Sequence, residues 1–240
     1  IFMLKSATSY LLCAVIISLV AQHANGDEWA QFLGPQRNGT SAEKNLINSW
    51  PADGPKIVWR TPLVVSMSGV TVADGDAFTM FQDETSQFAV CLNAADGKER
   101  WRTPVAPVFE NAMGHGPRAT PTVADGHVFA FTGEGILAAL KADDGKLLWS
   151  VDVPKSLKGQ PNEYGVSCSP LVTDGLVVIH SGTSSAAVSA FNIADGKLAW
   201  QVGKGNAGYS SPVLMTLGGV TQIVSLTAAG AMGLEPASGK

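Results

Sequence analysis

A histidine set between two glycines and, three residues on, an arginine make Gly114-His115-Gly116-Pro117-Arg118 the stretch of this chain best suited to hold a ligand. The glycines leave the backbone around His115 unrestrained, so its ring can reach outward. The planar fork of Arg118 matches a carboxylate such as a peptide terminus. Tyr164, with Glu163 beside it, and Tyr209 occupy comparable places. Each lies a few residues ahead of a segment that starts Ser-Pro, as His115 and Arg118 lie ahead of Thr120-Pro121. If those segments line a common channel, His115, Arg118, Tyr164 and Tyr209 share one rim of it.

The other ionisable residues point to structure. Asp74, Asp96, Asp125, Asp144, Asp174 and Asp195 each precede a glycine, the composition of a tight turn. No two histidines have metal-ligand spacing; His23 falls in an N-terminal apolar segment, and His127 and His180 fall within strand-like runs. Phe78, Phe129 and Phe131 alternate as core residues do. The residues therefore nominate no catalytic group and no metal site, only a rim.

What must position that rim is a repeat. Leu92-Asn-Ala-Ala-Asp-Gly-Lys-Glu-Arg-Trp101 returns as Leu140-Lys-Ala-Asp-Asp-Gly-Lys-Leu-Leu-Trp149 and as Phe191-Asn-Ile-Ala-Asp-Gly-Lys-Leu-Ala-Trp200. A period near 50 residues with strand-like sequence between copies indicates a radial array of small sheets. A second phrase runs in step with it, opening at Ser68, Thr120, Ser169 and Ser211; Pro follows the hydroxyl residue in all but the first. Pro is tolerated at the start of a strand and not at its centre. Four strands per unit follow: an opener, an apolar run, a strand ending in Leu92, Leu140 or Phe191, and a Trp strand. The fold class is all-β, a β-propeller of four-stranded antiparallel blades, with about four blades in residues 53–240. The tryptophans sit at constant phase, so Trp59, Trp101, Trp149 and Trp200 are expected to dock sheet onto sheet, with Gly97, Gly145, Gly196 and Gly239 in the matching turns. Asp53-Gly-Pro-Lys-Ile-Val-Trp59 reads as an orphan Trp strand. Leu234 to Lys240 starts a further copy and stops before its Trp, so the chain reads as part of a longer ring, in keeping with a first residue Ile1.

With 45% hydrophobic and 15% charged residues, 26 Gly and 13 Pro, the 240-residue chain has a turn-rich globular composition. A net charge of −4 without a Lys/Arg cluster excludes the electrostatic footprint of a nucleic-acid binder. Residues 1–26 read as a secretory signal: Lys5, the apolar stretch Tyr10 to Ala21, then Ala24-Asn25-Gly26 with small residues where a signal peptidase cuts. The apolar stretch is too short for a membrane span. A lead segment, 27–52, follows, and the protein is expected in the periplasm or cell envelope. Cys91 and Cys168 fall at different phases of the repeat and read as free buried thiols, with a disulfide as the alternative.

The repeat resembles the pyrroloquinoline-quinone (PQQ) repeat superfamily of propellers. Its docking phrase is Ala, any residue, Asp, two residues, Thr-Gly-Lys, two residues, Trp. Ala139, Gly145, Lys146 and Trp149 match, as do Ala190, Gly196, Lys197 and Trp200, while Asp144 and Asp195 replace the Thr. The family's Asp is replaced by Asn93, Lys141, Asn192 and Glu235. The lead segment Trp29 to Ser41 and the stretch Gly114 to Pro121 also look like exported PQQ-like propellers of planctomycete-type bacteria. The resemblance implies one of two roles. As a quinoprotein dehydrogenase, the protein would hold PQQ over the axis with calcium and a catalytic Asp, and Arg118 would face a PQQ carboxylate. Such enzymes often carry an adjacent-cysteine disulfide, and this chain has no Cys-Cys pair. As a relative of the outer-membrane protein assembly propeller, it would be a non-catalytic scaffold for a peptide or envelope protein. The absent catalytic groups favour the second.

Overall fold

The computed structural model describes residues 28–160, 162–183 and 185–240; the predicted signal segment lies outside them. The first sheet comprises β1 (Thr71–Ala73), β2 (Asp76–Gln82), β3 (Ser86–Asn93) and β4 (Glu99–Pro107). The second comprises β5 (Thr122–Ala124), β6 (His127–Phe131), β7 (Ile136–Lys141) and β8 (Leu147–Asp152). The third comprises β9 (Leu171–Thr173), β10 (Leu176–Thr183), β11 (Ala186–Asn192) and β12 (Leu198–Val202), and the last β13 (Val213–Leu217), β14 (Val220–Thr227) and β15 (Gly230–Leu234). Each is an antiparallel meander in chain order. One four-residue helix, α1 (Val153–Ser156), which the repeat gives no hint of, is capped where the Asp152 carboxylate accepts from the Lys155 N–H at 3.0 Å.

Local chemistry explains the meander. Asp74-Gly75, Asp125-Gly126 and Asp174-Gly175 all have positive φ at both residues, the two-residue turn whose twist suits a hairpin. The second strands of the first three sheets bury both faces, as in β10, where every residue is buried. Period-2 alternation then feeds two cores from one strand. Val128 and Ala130 of β6 pack with Phe78, Met80 and Cys91 of the first sheet, whereas Phe129 and Phe131 pack with Val177, Ile179 and Phe191 of the third. Val178 and Val188 continue the series onto Ile223 of the fourth. Cys91 and Cys168 are free and lie in different cores.

The first strands are innermost: β1 touches β5, β5 touches β9, and β9 touches β13. The hydroxyl residues of the opener phrase tie them together. Ser68 Oγ donates to Ala119 O at 2.7 Å, Thr120 N donates to Ser169 Oγ at 3.0 Å, and Ser169 N donates to Ser211 Oγ at 2.9 Å. These four sheets arranged around one axis are a β-propeller.

At the outer turns one contact recurs between neighbours. The Trp59 indole N–H donates to Ala94 O at 2.8 Å, Trp101 to Ala142 O at 2.8 Å, Trp149 to Ile193 O at 2.8 Å and Trp200 to Pro236 O at 3.1 Å. Each ring rests on the glycine of the next turn: a Cβ on Gly97, Gly145, Gly196 or Gly239 would fall 2.5, 2.5, 2.7 or 2.5 Å from it. Those glycines, with φ near +70°, thus answer a steric and a conformational demand at once. Trp59 differs from the sequence expectation in one respect. It lies in no strand, because no ladder partner runs beside it among the described residues, yet its ring makes the same contact.

The lead segment is built into the axis. Trp29 and Val72 exchange hydrogen bonds of 2.9 and 3.0 Å, and Ala30 O accepts from Val123 N at 2.8 Å. Arg37 reaches Ser169 O and Pro170 O at 3.0 and 2.9 Å. Residues 29–37 therefore span the inner strands of three sheets.

Candidate functional site at the channel mouth

In the first three meanders the Asp-Gly turns fall at one end of the sheet, so the loops leading to the next inner strand fall at the other. Three such loops meet there. Asn111 Nδ2 donates to Glu163 O at 2.9 Å, Asn162 Nδ2 donates to Gly208 O at 2.6 Å, and Ser167 Oγ donates to Tyr209 O at 3.1 Å. Tyr164 and Tyr209 are brought together as a stacked pair, ring centroids 6.0 Å apart, and both remain exposed.

His115 and Arg118 lie on the first of these loops. His115 is exposed, and its Nδ1 accepts from Asn111 N at 3.2 Å, so the ring carries its proton on Nε2. Arg118 has a different situation from the one its sequence context offers. Its guanidinium donates to Gly116 O at 2.7 Å and Gly114 O at 2.6 Å and lies 4.8 Å over the Phe109 ring. Partial burial lowers its pKa, and the fork that would suit a ligand carboxylate braces its own loop instead.

Below Tyr209 is a group that the sequence reading passed over. Arg37 is 4% exposed. It donates to Gln31 Oε1 at 3.1 Å and to the Ser169 and Pro170 carbonyls just ahead of β9, and among the described residues its Nε–H has no acceptor. Burial pulls its pKa down to about 10, so it stays cationic at neutral pH. It belongs to no repeat, and the only sequence signal was a lone basic residue just after the Gly34-Pro35 turn. Close by, His180 is buried. Its Nε2 meets Ser225 Oγ at 3.2 Å, its backbone N–H donates to Cys168 Sγ at 3.2 Å, and desolvation pushes its pKa down to about 4. Burial drives the Cys168 thiol up to about 12, which makes it inert as a nucleophile.

A quinone cofactor paired with calcium needs oxygen ligands converging on the ion. Among the described residues no three His, Cys, Asp or Glu side chains converge. The Arg118 fork is engaged within its own loop, and the lead segment lies across the inner strands. The residues described here do not fit that group.

Residues 43–157 and 86–240 match the family model described as outer membrane protein assembly factor BamB. An outer membrane protein assembly factor BamB of Yersinia pestis is 30% identical over 192 residues, covering 72% of this chain and 44% of its own length. The dehydrogenase subunit of a quinone alcohol dehydrogenase of Gluconacetobacter polyoxogenes is 29% identical over 239 residues, covering 82% of this chain and 30% of that protein. Among solved structures, a quinohemoprotein alcohol dehydrogenase of Pseudomonas putida superposes with a TM-score of 0.61 at 18% identity, over 89% of this chain and 39% of that one, a likeness of fold. The chain thus spans less than half the length of the curated relatives it matches. Two overlapping matches that together run from residue 43 to residue 240 place the chain in the BamB-like family of PQQ-repeat β-propellers.

Proposed function

We propose that this protein is a non-catalytic binding scaffold of the cell envelope, exported by its N-terminal segment, whose channel mouth holds a peptide or a segment of an envelope protein. The observation that carries the reading is the mouth itself: three loops cross-linked by side-chain to backbone hydrogen bonds into one rim, with the Tyr164–Tyr209 pair exposed on it. Tyrosine offers large contact area at small entropic cost. The relatives named for outer membrane protein assembly support a partner among envelope proteins.

The second reading is a PQQ-dependent alcohol or sugar dehydrogenase. It is favoured by the 82% of this chain that aligns with the quinone alcohol dehydrogenase subunit. The two part on one experiment. A photo-crosslinking amino acid at Tyr164 of the full-length protein in its own envelope should capture a discrete protein partner. The same group at Lys98, exposed at the opposite end of the sheets, should not. Equal capture from both positions, or none from Tyr164, would count against the scaffold.

A further inference from the structure

Burying a guanidinium without a counter-ion is costly, since hydrogen bonds to neutral carbonyls satisfy its geometry but not its charge. Arg37 is in that position. Its partners are two backbone carbonyls and an amide oxygen, and among the described residues it has no ion pair with a carboxylate. It also lines a cavity of about 260 Å³ opening beside Tyr209. Phe32, Leu33 and Val213 supply the apolar part of the wall. Ser211 supplies a hydroxyl: its Oγ accepts from Ser169 N, which leaves its own hydrogen to donate. The cavity therefore places a buried, uncompensated cation beside a donor hydroxyl and a greasy wall. It is smaller than the roughly 300–1,000 Å³ of pockets that enclose drug-sized ligands. That size suits one amino-acid residue.

We propose that the pocket formed by Arg37, Ser211, Tyr209, Phe32, Leu33 and Val213 takes the C-terminal carboxylate and apolar last side chain of a peptide. The carboxylate supplies the missing counter-charge beside Arg37 and accepts from Ser211 Oγ, while the last side chain lies against Phe32, Leu33 and Val213. This rests on the binding role proposed for the mouth and names the end of the ligand it holds.

The test is calorimetric titration of the full-length protein at pH 7 with three probes: a short peptide ending in a phenylalanine carboxylate, the same peptide amidated at its C-terminus, and 3-phenylpropionate. The expected result is saturable one-to-one binding of the acid peptide, at least tenfold weaker binding of the amide, and weaker binding of the free acid. Arg37→Gln should cost the acid peptide a similar factor and leave the amide unchanged. Because Arg37 also ties the lead segment to β9, its variant is checked by thermal unfolding, and Ser211→Ala serves as a second, milder probe expected to weaken the acid alone. Equal binding of acid and amide, or binding of neither, would overturn the inference. Binding of 3-phenylpropionate as tight as the peptide would overturn the assignment to a peptide end. Crosslinking from Tyr164 together with a failed titration would leave the scaffold standing without this pocket.

Discussion

The two ends of the sheets are built on opposite plans. At the outer turns the same contact appears between every pair of neighbours, a tryptophan lying on a glycine with its N–H on the adjacent chain. At the channel mouth no two loops are alike: one carries His115 and a self-bracing Arg118, the next a short helix and Tyr164, the third Tyr209, and a lead segment outside the repeat supplies the buried Arg37. A repeated contact makes a rigid frame, while departures from the repeat are free to acquire a ligand. Stability is expected to reside at the first end and recognition at the second.

The largest effect should come from breaking the frame. Trp101→Ala removes a buried ring and its hydrogen bond to Ala142 O and is expected to cost about 3–5 kcal/mol, read by denaturant unfolding. A cost below 1 kcal/mol would mean that the contact holds nothing. The glycines sharpen the point. A Cβ on Gly145 meets Trp101 at 2.5 Å, whereas one on Gly126 meets nothing within 4 Å, and both have φ near +70°. Gly126→Ala should therefore cost only the conformational strain, about 1–2 kcal/mol, and Gly145→Ala clearly more. Equal losses would show that strain alone matters.

A buried histidine gives an effect of intermediate size. His180 keeps a folded-state pKa of about 4 because burial disfavours the imidazolium. Between that value and the ordinary pKa of about 6.5 the unfolded chain binds a proton that the folded one does not. Stability should be level above that window and fall as pH drops through it, by up to about 3 kcal/mol. His180→Gln should flatten that fall if the variant folds, and an unchanged pH profile would mean that His180 takes up its proton in the fold as it does in the unfolded chain. The smallest structural effect belongs to the mouth. Tyr209→Ala, at an exposed position, should change stability by no more than about 0.5 kcal/mol while weakening crosslinking from Tyr164. A large loss of stability would make Tyr209 part of the frame.

The same contrast explains what could be read from the sequence. Strand order, hairpin turns and the alternating cores were legible because a period of about 50 residues repeats its physical reasons: Asp-Gly at the first and third turns of three sheets, Pro at three of the four openers, β-branched runs between. The meeting of Tyr164 and Tyr209 followed from phase within the repeat. Arg37 did not, because the two carbonyls that hold it lie more than 130 positions away in sequence and no local pattern marks a residue that will be buried at an axis. The engagement of Arg118 by Gly114 O and Gly116 O was equally hidden, since it depends on the path of a glycine-rich loop.

The central claim is that the mouth binds a peptide or protein segment and not a quinone. Titrating the full-length protein with PQQ and calcium, following tryptophan fluorescence and the cofactor's absorbance, tests it most directly. The account predicts no saturable binding up to high micromolar PQQ. One-to-one binding abolished by Arg118→Ala would contradict it, show that the Arg118 fork leaves its own loop for the ligand, and make the dehydrogenase reading the better one.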